Sequence, residues 1–173
     1  MLQPTRFLRQ ASLLLTLCLL WGASAPVALA QNEAKQFKAK NGAFSFKAPA
    51  AFQEISDAPG SAIVALEVPG FGVSFLAERH PAEELETEKA MTQAKTELGK
   101  NGATILGSAT ANLASKPAFS LLVGGVKQGK ESLFVYNLRS DFWYVFVLNY
   151  PSGQRKDASD LWKMIAPTIK FAS

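Results

Sequence analysis

Residues 142 to 150, Phe-Trp-Tyr-Val-Phe-Val-Leu-Asn-Tyr, are apolar on both parities of an extended chain. Phe142, Tyr144, Phe146 and Leu148 point one way, and Trp143, Val145 and Val147 the other. A strand that sends large apolar side chains both ways belongs inside a sheet whose two faces are both covered. Further on, Ala158, Leu161, Trp162 and Ile165 stand at i, i+3, i+4 and i+7, the spacing of a helix with one apolar stripe, which predicts a covering helix. Pro167 ends it, and residues 168 to 171 add a short extended tail.

The rest of the chain supplies the remaining strands. Residues 35 to 47 read as a hairpin about Asn41-Gly42, with Phe37, Ala39, Phe44 and Phe46 facing the core and Lys38, Lys40, Ser45 and Lys47 facing water. Pro49 ends its second strand. A second pair, residues 62 to 68 and 71 to 78, turns at Pro69-Gly70, with Phe71, Val73, Phe75 and Ala77 on one face. Pro81 suits the first turn of a helix, with Glu83 and Glu84 near its positive end. From Thr87 the spacing of Met91, Ala94 and Leu98 continues that helix until Gly99 or Asn101-Gly102 closes it. Four strands follow as a meander, at residues 103 to 111, 118 to 126, 132 to 139 and 142 to 150. Ser115-Lys116-Pro117, residues 127 to 130 and Ser140-Asp141 are the breaks. There is no internal repeat and no Ser/Pro-rich linker. The expectation is a single α+β domain over residues 31 to 173, with a central antiparallel sheet of six to eight strands and helices packed on both faces.

The first 30 residues belong to a different design. Arg6 and Arg9 precede an apolar run from residue 11 to 21, and a looser stretch with Pro26 ends in Ala28-Leu29-Ala30. That is the order of a cleavable export signal, cut after Ala30. A membrane anchor would need roughly 20 uninterrupted apolar residues, and Gly22, Ser24 and Pro26 break this run. Cys18 is the only cysteine, and Leu17 stands before it where a lipid-modified cysteine has a small residue, so lipidation is not expected. After cleavage the domain holds no cysteine and depends on packing alone. Two of the 18 basic side chains lie in the signal and all 14 acidic ones lie beyond it, so the net charge falls from +4 to +2. Such a balance, with lysines spread among carboxylates, leaves no nucleic-acid footprint. The one local cluster, Lys35, Lys38 and Lys40, reads as a solvated face that discourages edge pairing.

Motifs that carry chemistry are few. Gly124 to Lys130 supplies Gly-x-x-x-x-Gly-Lys, but Glu131 follows where a hydroxyl should meet magnesium, and the next segment is a strand rather than a helix. His80, the only histidine, has Glu78, Glu83 and Glu84 nearby, too thin a set for catalytic zinc. No Gly-x-Ser-x-Gly occurs to pair with it. Asp157 and Asp160 fall at a helix start, where the helix dipole accounts for them. No catalytic, cofactor or metal residue is therefore assigned. The aromatic strand is expected to pack mainly as core, with Trp143 and Tyr150 as the candidate partner or ligand surface.

Phe44-Ser45-Phe46-Lys47-Ala48-Pro49 followed by Phe52, then paired strands, a middle helix, a four-strand meander and a last helix running into Thr168-Ile169-Lys170-Phe171, resembles the superfamily that joins PsbP, DcrB and the Ran-binding Mog proteins. The resemblance covers nearly all of the chain after residue 30 and rests on hydrophobic positions. It implies a central antiparallel sheet between helices and an accessory or binding role, and it carries over no functional residue. Two departures are visible: no lipid-anchor cysteine of the DcrB kind, and no long extension of the photosystem kind. The resulting expectation is an exported, non-catalytic protein of the periplasm or cell envelope that needs no cofactor and supports another envelope protein. A small-molecule module with an aromatic-lined pocket is the alternative, and a hydrolase centred on His80 stands behind it.

Overall fold

The computed structural model describes residues 33–172 apart from residues 59, 83–85, 126, 127 and 141. The expected signal, residues 1 to 30, therefore lies outside the described residues, as do Glu83 and Glu84. Ten strands and two helices follow in chain order among the described residues: β1 (Ala34–Lys38), β2 (Phe44–Pro49), β3 (Gln53–Glu54), β4 (Ala62–Val68), β5 (Val73–Pro81), α1 (Thr87–Lys100), β6 (Thr104–Leu113), β7 (Lys116–Gly124), β8 (Lys130–Arg139), β9 (Phe142–Pro151), α2 (Arg155–Ile165) and β10 (Lys170–Phe171). Strands β3 to β9 form one seven-stranded antiparallel sheet in the order β3-β4-β5-β9-β8-β7-β6. No helix among the described residues is long and apolar enough to cross a membrane.

The doubly apolar strand lies at the middle of this sheet, between β5 and β8. Its even-numbered side chains Tyr144, Phe146, Leu148 and Tyr150 join the larger core, against Ala158, Leu161 and Ile165 of α2. The β1-β2 hairpin completes that layer. It forms a separate three-stranded sheet with β10 rather than extending the large one. Its phenylalanines reach across, Phe44 to Phe146 at 5.3 Å and Phe46 to Phe75 at 5.1 Å between ring centres. The C-terminal tail is locked onto the hairpin. The Lys47 N–H donates to Thr168 Oγ1 at 2.8 Å, that hydroxyl donates to the Ile165 carbonyl at 2.7 Å, and Phe171 pairs with Phe44. On the opposite face Ala90, Met91, Ala94 and Leu98 of α1 pack with Phe119, Leu121, Val123 and Trp143. Helices thus cover both faces, one each, with the small sheet sharing the α2 side.

Three local expectations need correction. β5 runs on through Pro81, which pairs with Phe142, and α1 begins only at Thr87. A proline is tolerated there because it is the last residue of the ladder. Phe71 is not on the core face: Pro69 and Gly70 (φ +79°) make the turn, and Phe71 is left 44% exposed before the strand begins. The β6-β7 turn is tighter than Ser115-Lys116-Pro117 suggested. Pro117 pairs with Asn112 inside the ladder, and the reversal falls on Ala114 and Ser115, whose φ values of 48° and 65° are those of a two-residue hairpin turn.

Candidate binding groove

α1 packs against β6 and β7 and leaves the β5-β9 side of the same sheet face open. Between helix and open face lies a groove of about 480 Å³. Phe119, Tyr136, Trp143 and Val145 form its floor, one from β7, one from β8 and two from β9, and they point the same way because cross-strand register aligns them. Phe119 and Tyr136 are stacked at 4.4 Å, and Trp143 meets Phe119 edge-on at 5.4 Å. One wall is helical: Ala90, Ala94 and Leu98 give it apolar surface, and Gln93, Glu97 and Asn101, each one helical turn from the next, line its upper edge, with the Glu97 carboxylate paired to Lys100 at 2.7 Å and Asn101 Nδ2 donating to the Glu97 carbonyl at 3.0 Å. His80 and Pro81 form the other rim. Burial, with the Glu78 carboxylate adding to it, pushes the Tyr136 phenol up to about 12. The groove therefore offers apolar and aromatic surface below and polar groups above, the make-up of a site that takes an apolar group and orients it by a few hydrogen bonds.

The two candidate surface residues separate. Trp143, 7% exposed, sits on the groove floor, while Tyr150, 2% exposed, is in the core on the opposite face. Tyr150 pairs with Glu131 across the ladder. Burial first, then the Glu131 carboxylate, lifts its phenol to about 12. Seven residues apart on a strand means opposite faces, so the sequence itself held the signal that Trp143 and Tyr150 share no surface. The helical wall and Phe119 and Tyr136 carried no such signal, since nothing local says that α1 covers only part of the sheet.

The other motifs resolve into structure. His80, half exposed, lies 3.0 Å from Glu78 through Nε2, and Ser61 Oγ donates to the other Glu78 oxygen at 2.7 Å. Glu78 thus engages both the Ser61 hydroxyl and the His80 imidazole. Asp160 binds Lys156 at 2.7 Å and Lys163 at 3.3 Å along the helix, and its pKa is lowered chiefly by the Lys156 hydrogen bond. Gly124 to Lys130 spans the β7-β8 connection, with Gly125 and Gly129 at φ 83° and 71°, and Glu131 is taken by Arg155 through two hydrogen bonds of 3.0 and 3.2 Å. Among the described residues no three His, Cys, Asp or Glu side chains converge as metal ligands would.

No family model matches the sequence, and no curated protein does. Solved structures do share the fold. Cyanobacterial PsbP from Synechocystis sp. PCC 6803 superposes with a TM-score of 0.61 at 10% identity, over 87% of this chain and 96% of that one. The Ran-binding protein Mog1p of Saccharomyces cerevisiae gives 0.60 at 12% identity, over 82% and 96%. LpqN of Mycobacterium tuberculosis, described as involved in cell envelope biogenesis, gives 0.54 at 14%, over 88% and 99%. At such identities the likeness is one of fold: the chain has the α+β architecture of PsbP and Mog.

Proposed function

We propose that this chain is an exported, non-catalytic accessory protein of the cell envelope that holds its partner by an apolar or aromatic group inserted between α1 and the sheet. The observation that carries the reading is the 480 Å³ groove floored by Phe119, Tyr136, Trp143 and Val145. Two further points support it: the signal-like order of residues 1 to 30, and a fold shared with a protein described as involved in cell envelope biogenesis. The pairing of Asp160 with lysines favours binding over hydrolysis.

The groove is testable with an apolar fluorescent probe. Anilinonaphthalene sulfonate titrated into the folded protein is expected to brighten and to quench Trp143. Ala94→Phe, which projects a ring from the helical wall into the empty volume, is expected to abolish both changes while keeping the circular dichroism spectrum. Probe binding that is absent from the wild type, or unchanged in Ala94→Phe, would overturn the assignment of the site.

A further inference from the structure

Four strand edges are open among the described residues: β1 and β10 in the small sheet, β3 and β6 in the large one. Open edges invite pairing with other chains, and proteins blunt them with short strands, lysines or proline. Three of the four follow that rule. β3 and β10 have two residues each and carry Glu54 and Lys170, and β1 carries Lys35 and Lys38. β6 does not. It is ten residues long, Thr-Ile-Leu-Gly-Ser-Ala-Thr-Ala-Asn-Leu, without a charge or a proline. A bulge at Leu106 disturbs its start, and from Gly107 on the ladder with β7 is regular. Ser108, Ala109, Thr110, Ala111 and Asn112 are all exposed, on both faces of the sheet.

We propose that β6 is a dimerisation edge, on which a second copy of this chain pairs its own β6 antiparallel about a two-fold axis near Ala109, joining the two large sheets. The chemistry of the edge selects a second copy over a foreign peptide. Strand-addition sites for other proteins draw specificity from pockets between alternate side chains. From Gly107 to Ala111 the residues are glycine, serine, alanine and threonine, which build no pocket and offer backbone alone. Antiparallel self-pairing is self-complementary and closes after two copies. With no charged side chain on the strand, it sets no like charges against each other. Small side chains also let the strands reach the usual spacing of about 4.8 Å without rearrangement. Neither the groove nor its lining takes part, so this inference stands apart from the proposed binding role.

Sedimentation of the folded protein over a concentration series tests it. A reversible monomer–dimer equilibrium is expected. Thr110→Lys, an exposed change that places two ammonium groups near the axis, is expected to raise the dissociation constant about tenfold or more and to leave thermal unfolding unchanged at concentrations where the protein is monomeric. In a Cys18→Ser background, single cysteines at Ser108, Ala109, Thr110 and Ala111 are expected to form disulfide dimers most readily nearest the axis, and one at the exposed Asp57 far less. A monomer at every concentration, a dimer indifferent to Thr110→Lys, or crosslinking as efficient at Asp57 as on β6, would each overturn the proposal.

Discussion

Asn137 is the polar side chain on which the β6-β7 turn depends, and replacing it with alanine gives the sharpest stability prediction. The residue is fully buried, at 0% exposure. Its Nδ2 donates to the Pro117 carbonyl at 3.0 Å, with longer contacts to Leu113 and Lys116 at 3.3 and 3.4 Å, and its Oδ1 accepts from Arg139 Nε at 3.1 Å. Arg139 itself donates to the Ala114 carbonyl at 2.7 Å and lies over the Phe171 ring at 3.8 Å. One amide thus ties a strained turn to the C-terminal strand. Asn137→Ala takes the side-chain donor from the part-buried Pro117 carbonyl and the acceptor from Arg139 Nε, while the Leu113 carbonyl keeps Arg139 Nη2 at 3.3 Å. At about 1 to 3 kcal/mol for a polar group left unpaired, with water able to reach the exposed Pro117 and the half-buried Arg139, the expected loss is about 2 kcal/mol. For a domain of this size that is a fall of about 7 °C in Tm. Calorimetry or urea unfolding measures it, with Asn112→Ala, an exposed neighbour on β6, expected to stay within about 0.5 kcal/mol of wild type. If Asn137→Ala also stays within that margin, the turn is not held by this amide and the reasoning fails.

The turn itself should accept improvement. Ala114 and Ser115 hold positive φ without being glycine or asparagine, so Ala114→Asn with Ser115→Gly is expected to stabilise by about 1 kcal/mol in the same unfolding assay. The two buried phenols set an alkaline limit. Tyr136 and Tyr150 are both raised to about 12 from an ordinary value near 10, so the folded state binds more protons than the unfolded one between those values. Stability from this source is full below about pH 10 and declines as pH rises toward 12. Circular dichroism across that range should show the decline, and Tyr136→Phe should make it shallower; an equally steep curve in the variant would contradict the assignment.

Much of this fold was legible because side-chain period reports burial directly. The doubly apolar run at residues 142 to 150 announced a central strand with apolar side chains on both faces, one packed under α2 and the small sheet and the other lining the groove beside α1, and Phe37, Phe44 and Phe46 announced the inner face of the hairpin. What could not be read locally were the features made by distant pairs. The hairpin forms its own sheet because β10 pairs with β2 from the far end of the chain. Pro81 read as a helix start because its strand pairing depends on Phe142. The reversal at Ala114-Ser115 escaped notice because neither residue favours positive φ, and the clamp from Asn137 and Arg139 that holds it comes from another strand. The groove was only half legible. Trp143 was marked by its size and position, but its floor-mates Phe119 and Tyr136 and the wall of α1 meet it only after the sheet has formed.

If the groove beside α1 receives an envelope partner as proposed, site-resolved photocrosslinking in the native envelope will capture it there. A photoreactive side chain at Gln93, on the groove wall, and one at Lys156, on the helix of the opposite face, separate the two surfaces. One recurrent adduct is expected from Gln93, lost when Ala94→Phe fills the groove, and none from Lys156. No adduct from Gln93, or the same adduct from both positions, would contradict it.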